Sequence, residues 1–317
     1  MKLKSILCSS TLALSVAISG AASAQDKPSI AFVVNAASDF WKLAEAGVNA
    51  AQVELPSYET QFRYPAQGTA ALQNALMDDL VAAGTSAIMI SSADPKNSIG
   101  AFNRIAAQVP LFTTDSDAPS SNRVAYLGSS NTLAGEQAGD IAVAALPDGG
   151  KCMGFVGFLG ADNAIERIQG FRNTVEGTGI ELVDVRGDDV DFARARANVD
   201  DVLAAMPEVN CMVGFYSYNP PKIYEALQAA GKLGDVTVIG FDEDPITLGA
   251  VREGSFAGTV VQDPYQWGYE GMHMMARYLK GDKSDVPADG LIIVPTKVIN
   301  ETNVDAFEAE LKARIAG

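Results

Sequence analysis

The chain is poor in histidine, cysteine and positive charge. Its single histidine, His273, stands among Met272, Met274 and Met275 on a predicted helix, with no cysteine or acid at metal-ligand spacing. That setting reads as packing, so no metal site is expected. No Ser–His or Cys–His arrangement marks a nucleophile either. There are three cysteines. Cys8 lies near the N-terminus, and Cys152 and Cys211 each open a predicted strand. Two cysteines are too few for a disulfide scaffold. A buried free pair and a bridge both stay open, because bridging depends on a Cα spacing that the sequence does not contain. Lys and Arg number 23 against 39 Asp and Glu, a net charge of -16. Nucleic acids and anionic membrane surfaces would be repelled by such a chain. The glycines of GKCMGFVGFLG at 150–160 lack both the Walker spacing and the G-x-G-x-x-G spacing, so no nucleotide loop and no cofactor is expected. The acid-rich stretches Gly187–Asp191 and Asp242–Asp244 do not follow a calcium-loop pattern.

No stretch approaches the ~20 apolar residues of a membrane span. The N-terminus does carry a shorter run: Lys2 and Lys4 precede an apolar segment from Ile6 to Ile18, followed by Ala22-Ser23-Ala24. A positive segment, a short apolar segment and an A-x-A site describe a secretory signal peptide over residues 1–24, with cleavage expected after Ala24. Cys8 precedes most of the apolar segment, which suits a signal-peptide cysteine better than a lipid anchor.

The rest is ordinary globular sequence, 48% apolar and 20% charged over 317 residues, long enough for about two domains. Short β-rich runs alternate with amphipathic helices. SIAFVV at 29–34 is a predicted strand. Asp39–Leu55 is a predicted helix that places Ala44, Gly47, Val48, Ala51 and Leu55 on one face, with Ser38 or Asp39 as its cap. Strands follow at 61–64, 86–90 and 110–114, with helices at 70–83 and 97–108, the first closed by Gly84. The pattern pauses at VAYLGSSN (124–131) and restarts with a second unit of similar size. Its strands fall at 151–158, 180–185, 210–215, 236–241 and 257–261, separated by helices. This alternation predicts α/β architecture with parallel, doubly wound sheets.

In open parallel sheets, ligands bind beyond the carboxyl ends of the strands. The residues just past the predicted strands are Asn35, Ser91, Asp115, Tyr216, Asp242 and Gln262, mostly hydrogen-bonding groups. One carboxylate falls in each half. Two sheets with their polar rims facing one another would enclose a small polar ligand.

Six segments in order, IAFVVNAASDFW (30–41), PLFTTDSDAP (110–119), AIERIQGF (164–171), NCMVGF (210–215), VIGFDEDP (238–245) and GTVVQDPYQWGYEG (258–271), make the chain similar to periplasmic sugar-binding proteins of the ribose-binding type. The resemblance implies two Rossmann-like lobes, each a parallel sheet flanked by helices, joined by three crossings near 128–131, 262–263 and 290–291. The first lobe would take residues 25–128 with 263–290, and the second 129–262 with 291–317. The implied function is capture of a small neutral sugar or polyol in the periplasm, by a monomer, for delivery to a membrane ABC permease. The implied contacts are Asn35, Phe40, Trp41, Asp115, Arg167, Phe192, Asp242 and Gln262, and Asn163 is a further candidate. Tyr216 and Asn219 compete for one further family position. Ser116 stands where a second sugar-binding arginine is frequent, which leaves other pentoses, hexoses and sugar alcohols as open as ribose.

These residue types suit a sugar. An ionised carboxylate accepts only, a guanidinium donates only, and Asn and Gln do both. Aromatic faces cover the C–H side of a ring. Two alternatives share these features: an exported carbohydrate-active enzyme using Asp115 and Asp242 as a carboxylate pair, and a receptor for chemotaxis or quorum signals.

Overall fold

The computed structural model describes residues 27–316, so the expected signal peptide and Cys8 lie outside the described residues. The first half of the chain runs β1 (Ser29–Val33), α1 (Trp41–Glu54), β2 (Glu59–Arg63), α2 (Ala70–Ala82), β3 (Ala87–Ile90), α3 (Pro95–Ala106), β4 (Leu111–Thr113) and β5 (Tyr126–Gly128). The second half runs α4 (Asn131–Ala145), β6 (Gly150–Val156), α5 (Asp162–Val175), β7 (Ile180–Gly187), α6 (Phe192–Ala205), β8 (Cys211–Gly214), α7 (Asn219–Ala230), β9 (Thr237–Phe241), α8 (Pro245–Arg252) and β10 (Gly258–Val261). Then come α9 (Pro264–Leu279), β11 (Leu291–Ile293), β12 (Lys297–Ile299) and α10 (Val304–Ala316).

These elements form two sheets, ordered β2-β1-β3-β4-β5-β11 and β7-β6-β8-β9-β10-β12. The first is parallel throughout, and in the second only β12 runs antiparallel. The shared order of the first five strands puts a topological switch point beside the first strand of each sheet, between β1 and β3 and between β6 and β8. The central strands are buried on both faces, and apolar clusters fill the space between each sheet and the helices on either side of it.

The chain passes between the sheets after β5, after β10 and between β11 and β12. The third passage differs from expectation. Leu291–Ile293 pairs in register with Tyr126–Gly128, so it belongs to the first sheet, and the crossing falls at 294–296 rather than at 290–291. Gly290 at φ 66° only turns the chain into this edge strand. Two helix starts also differ. α1 begins at Trp41 without a side-chain cap. α3 begins at Pro95, where Asp94 accepts the N–H of Asn97; proline in the first turn loses no helical hydrogen bond.

One helix crossing in each lobe is close enough to exclude any side chain. A Cβ on Gly47 of α1 would lie 2.1 Å from the carbonyl oxygen of Tyr265, and one on Gly268 of α9 would lie 2.1 Å from that of Ala44. In the second lobe, Gly135 of α4 meets the Arg167 carbonyl and Gly170 of α5 meets the Thr132 carbonyl, again at 2.1 Å. The second crossing fixes the helix that carries Asn163 and Arg167. Cys152 and Cys211 are paired across β6 and β8 and form a disulfide.

Candidate functional site

Asp115 and Asp242 lie just beyond the carboxyl ends of β4 and β9, in different sheets, and both adopt left-handed backbone, at φ 54° and 66°. Asp tolerates this region better than most residues, and both side chains are buried. Asp115 is the meeting point of the lobes. Its carboxylate accepts from Ser91 Oγ at 2.8 Å and Asn35 Nδ2 at 3.4 Å, both beyond strands of its own sheet. From α5 of the other lobe, Asn163 Nδ2 lies 3.1 Å from both of its oxygens, and Arg167 Nη2 lies 3.6 Å away. Asn131 Nδ2, at the start of α4, donates to the Asp115 main-chain carbonyl at 2.9 Å.

Arg167 is 1% exposed. Its Nε donates to Asn131 Oδ1 at 2.9 Å and its Nη1 to the Phe215 carbonyl at 2.8 Å, while the guanidinium lies 4.8 Å from the Phe241 ring centre. Gln262 donates to Asp242 at 3.0 Å. Two buried atoms, Arg167 Nη2 and Gln262 Oε1, have no hydrogen-bond partner among the described residues. Both residues line one small cavity between the lobes. Phe40 and Trp41 wall it on the first-lobe side, with Trp41 Nε1 held by Asn35 Oδ1 at 3.2 Å. Val190, Tyr216 and Tyr218 wall it opposite.

Burial raises the Asp115 carboxyl above its ordinary range, against the lowering effects of Arg167, Ser91 and Asn163. It also lifts Asp242 above its ordinary range, against Arg167 and Gln262. Burial is also the main reason that Tyr216 titrates above the normal tyrosine range, which keeps its hydroxyl a donor. The site therefore offers acceptors on both carboxylates and on Gln262, a fixed donor on Arg167, and aromatic walls. That arrangement complements a compact ligand bearing several hydroxyl groups.

A family profile described as a periplasmic binding protein domain matches residues 30–283. The chain belongs to the periplasmic binding protein family. The ribose import binding protein of Salmonella typhimurium is 30% identical over 232 residues, which is 72% of this chain and 78% of that protein. An ABC transporter solute-binding protein from Agrobacterium vitis, solved with bound D-fucose, is 27% identical with a TM-score of 0.82, covering 89% of this chain and 98% of the other. A carbohydrate transporter solute-binding protein from Agrobacterium radiobacter, in complex with D-arabinose, is 26% identical with a TM-score of 0.82, covering 90% and 99%. The likeness to the two solved sugar-binding proteins covers 89% and 90% of the chain and so takes in both lobes.

Of the residues expected at the site of this periplasmic binding protein, Asn35, Phe40, Trp41, Asp115, Asn163, Arg167, Tyr216, Asp242 and Gln262 line the one cavity. Phe192 does not. It is the first residue of α6, 44% exposed, and packs on Tyr218 outside the cavity. Val190, two residues earlier, takes the cavity-facing place, because the chain turns through left-handed backbone at Asp189 and Val190 (φ 55° and 60°) before the helix begins. A β-branched residue in that region is strained by ~1–3 kcal/mol, so local preference gives no hint of it. Asn219 is also displaced from its expected role. It is buried at the start of α7, accepts the Tyr216 N–H at 3.1 Å and donates to Asp188 at 3.0 Å, shaping the wall from behind. Val190 and Tyr218 also line the cavity, and Asn131 and Asp188 hold its lining from behind; none of the four was expected at the site from the sequence. The unusual YSYNPP segment was the available signal for Tyr218, since residues two apart in a turn can share a face.

Proposed function

We propose that this chain captures a small neutral monosaccharide or sugar alcohol between its lobes and hands it to a membrane ABC importer, acting in the periplasm as a monomer after removal of residues 1–24. The observation that carries the reading is the bridged Asp115. A first-lobe carboxylate is held by Asn163 and Arg167 of the second lobe at the edge of the cavity. The donors and acceptors surrounding a ligand are therefore complete only when the lobes are together. A ligand that binds the closed form better shifts the open–closed equilibrium toward it, and an importer can then read the closed surface.

Binding rather than turnover is supported by the engagement of Asp115. Both of its oxygens already accept protein donors, an arrangement that favours orientation over nucleophilic or acid–base work. The family is made of solute-binding proteins, in line with this reading. We place the lobe boundaries at the passages after β5, after β10 and at 294–296, which supply the hinge.

The test is a thermal-shift screen of residues 25–317 against pentoses, hexoses, polyols and amino sugars, followed by solution scattering with the best ligand. At a hundredfold excess over Kd, a ligand adds ~2.7 kcal/mol, on the order of 4–5 °C for a chain of this size. Compaction should accompany the shift. Turnover of a glycoside, or binding without compaction, would overturn the proposal.

A further inference from the structure

Asp188 lies one residue past β7, is wholly buried, and does not line the cavity. Its Oδ1 accepts the N–H of Val190 at 2.9 Å and the hydroxyl of Tyr218, and its Oδ2 accepts Asn219 Nδ2 at 3.0 Å. Asn219 Oδ1 in turn accepts the Tyr216 N–H at 3.1 Å. The Tyr216 hydroxyl donates to Asn163 Oδ1 at 2.8 Å, and Asn163 donates to Asp115. A single carboxylate thus anchors Val190, Tyr216 and Tyr218 of the second-lobe wall and connects them to the contact between lobes. Its main chain is fixed as well, since the Asp188 N–H donates to the Val156 carbonyl at 3.1 Å and the Asp189 N–H to that of Gly157 at 3.0 Å. Gly157 leaves the space the wall occupies: a Cβ there would fall 2.6 Å from the Tyr216 ring and 2.8 Å from the Tyr218 hydroxyl oxygen.

Val190 needs such an anchor. At φ 60° it sits where valine is disfavoured, and its N–H points back to Asp188. Released from that bond, the segment would relax toward extended backbone and carry the valine side chain out of the cavity.

We propose that Asp188 is the positioning residue that holds Val190, Tyr216 and Tyr218 as one rigid wall and thereby sets which ring sizes and substituents the cavity accepts. The consequence for selectivity rests on the sugar-binding reading above, whereas the positioning itself does not.

The test uses residues 25–317 and a swap of hydrogen-bonding roles. Asp188→Asn sets an amide donor against the donor of Asn219, or against the Val190 N–H and Tyr218 hydroxyl. Adding Asn219→Asp restores every bond. The amide oxygen introduced at position 188 can accept from Val190 and Tyr218, while its nitrogen donates to the carboxylate introduced at position 219, which still accepts from Tyr216. Calorimetric titrations with D-ribose, D-arabinose, D-fucose and D-galactose give affinity and the pentose-to-hexose ratio. Backbone amide exchange at Val190 and Tyr216 gives the state of the wall without ligand.

Asp188→Asn is expected to weaken the best sugar by ~10-fold or more, to shift the pentose-to-hexose ratio, and to speed exchange at both amides. The double swap is expected to return all three toward wild type. Unchanged exchange and ratios in Asp188→Asn, or a double swap no better than the single change, would overturn the proposal. Should Asp188→Asn fail to fold, Tyr218→Phe removes one bond and keeps the ring. It is expected to move selectivity and Val190 exchange in the same direction, and no change would be equally decisive. If no sugar binds the wild-type chain, the sugar-binding reading falls, and the exchange measurements alone decide the role of Asp188.

Discussion

The crossing of α4 and α5 allows a substitution that touches no ligand-facing atom yet should disable the site. A methyl group on Gly135 would stand 2.1 Å from the Arg167 carbonyl oxygen, where ordinary contact begins near 3.4 Å. Gly135→Ala must therefore push α5 outward by about 1 Å. Overpacking of this kind costs ~1–3 kcal/mol, and the helix propensity gained from alanine offsets ~0.5–1 kcal/mol of it. The net loss is about 0–2.5 kcal/mol, a melting point lower by up to roughly 4 °C. The effect on binding should be larger. Arg167 and Asn163 both ride on α5, and misaligning a charged and a neutral hydrogen bond costs about 2–3 kcal/mol, or ~30- to 100-fold in Kd. Gly100→Ala is the control, since nothing lies within 4 Å of its added methyl group in α3, and it should stabilise the chain by ~0.5–1 kcal/mol with affinity unchanged. Both variants can be read by thermal melting and by titration with the best sugar of the screen. Wild-type affinity in a folded Gly135→Ala protein would refute the argument that helix contact positions the guanidinium.

Other expectations follow from the same geometry. Arg167→Met should abolish binding and destabilise the chain by ~3–5 kcal/mol, because it leaves Asp115 buried with a partner removed; denaturant melts would show this, and a neutral result would mean that Asp115 is solvated in the ligand-free protein. The pH dependence has a definite sign. Burial, against the pull of Arg167 and Gln262, holds the Asp242 carboxyl above its ordinary value in the folded protein, so over that interval the folded protein keeps a proton that the unfolded chain has released. Stability without ligand should fall as pH rises from the ordinary carboxylate range through the folded value of this group. Asp242→Asn should give a shallower curve and a protein more stable than wild type at pH 7 that no longer binds sugar; a curve parallel to wild type would remove Asp242 as the source. Replacing Cys152 and Cys211 by alanine opens a loop spanning a 59-residue separation and should cost ~4 kcal/mol on the chain-entropy argument while leaving affinity intact, since the bridge joins the sheet away from the strand ends that form the site. Denaturant melts and sugar titrations of the double variant check both halves of that expectation.

Much of this protein is written locally. Apolar runs such as SIAFVV and VTVIGF, the glycine that closes α7 at Gly231, and the alternation of strand with helix specify parallel sheets on their own, because hydrogen-bond period and burial act over a few residues. Asp115, Asp242 and Gln262 were legible as site residues for the same reason: the carboxyl ends of parallel strands converge whatever the loops do. The pairing of Cys152 with Cys211 was not legible, since it depends on strand register. The membership of Leu291–Ile293 in the first sheet depends likewise on which edge the returning chain meets. The exchange of Phe192 for Val190 at the cavity wall hangs on the sign of two backbone dihedrals, held against local preference by a buried carboxylate and the partners it gathers from another part of the fold. Local sequence thus determined the elements and the strand ends. Only the approach of two lobes, which brings Asn163 and Arg167 onto Asp115, decided which side chains share a cavity, because that contact energy exists nowhere in the chain until both sheets are folded.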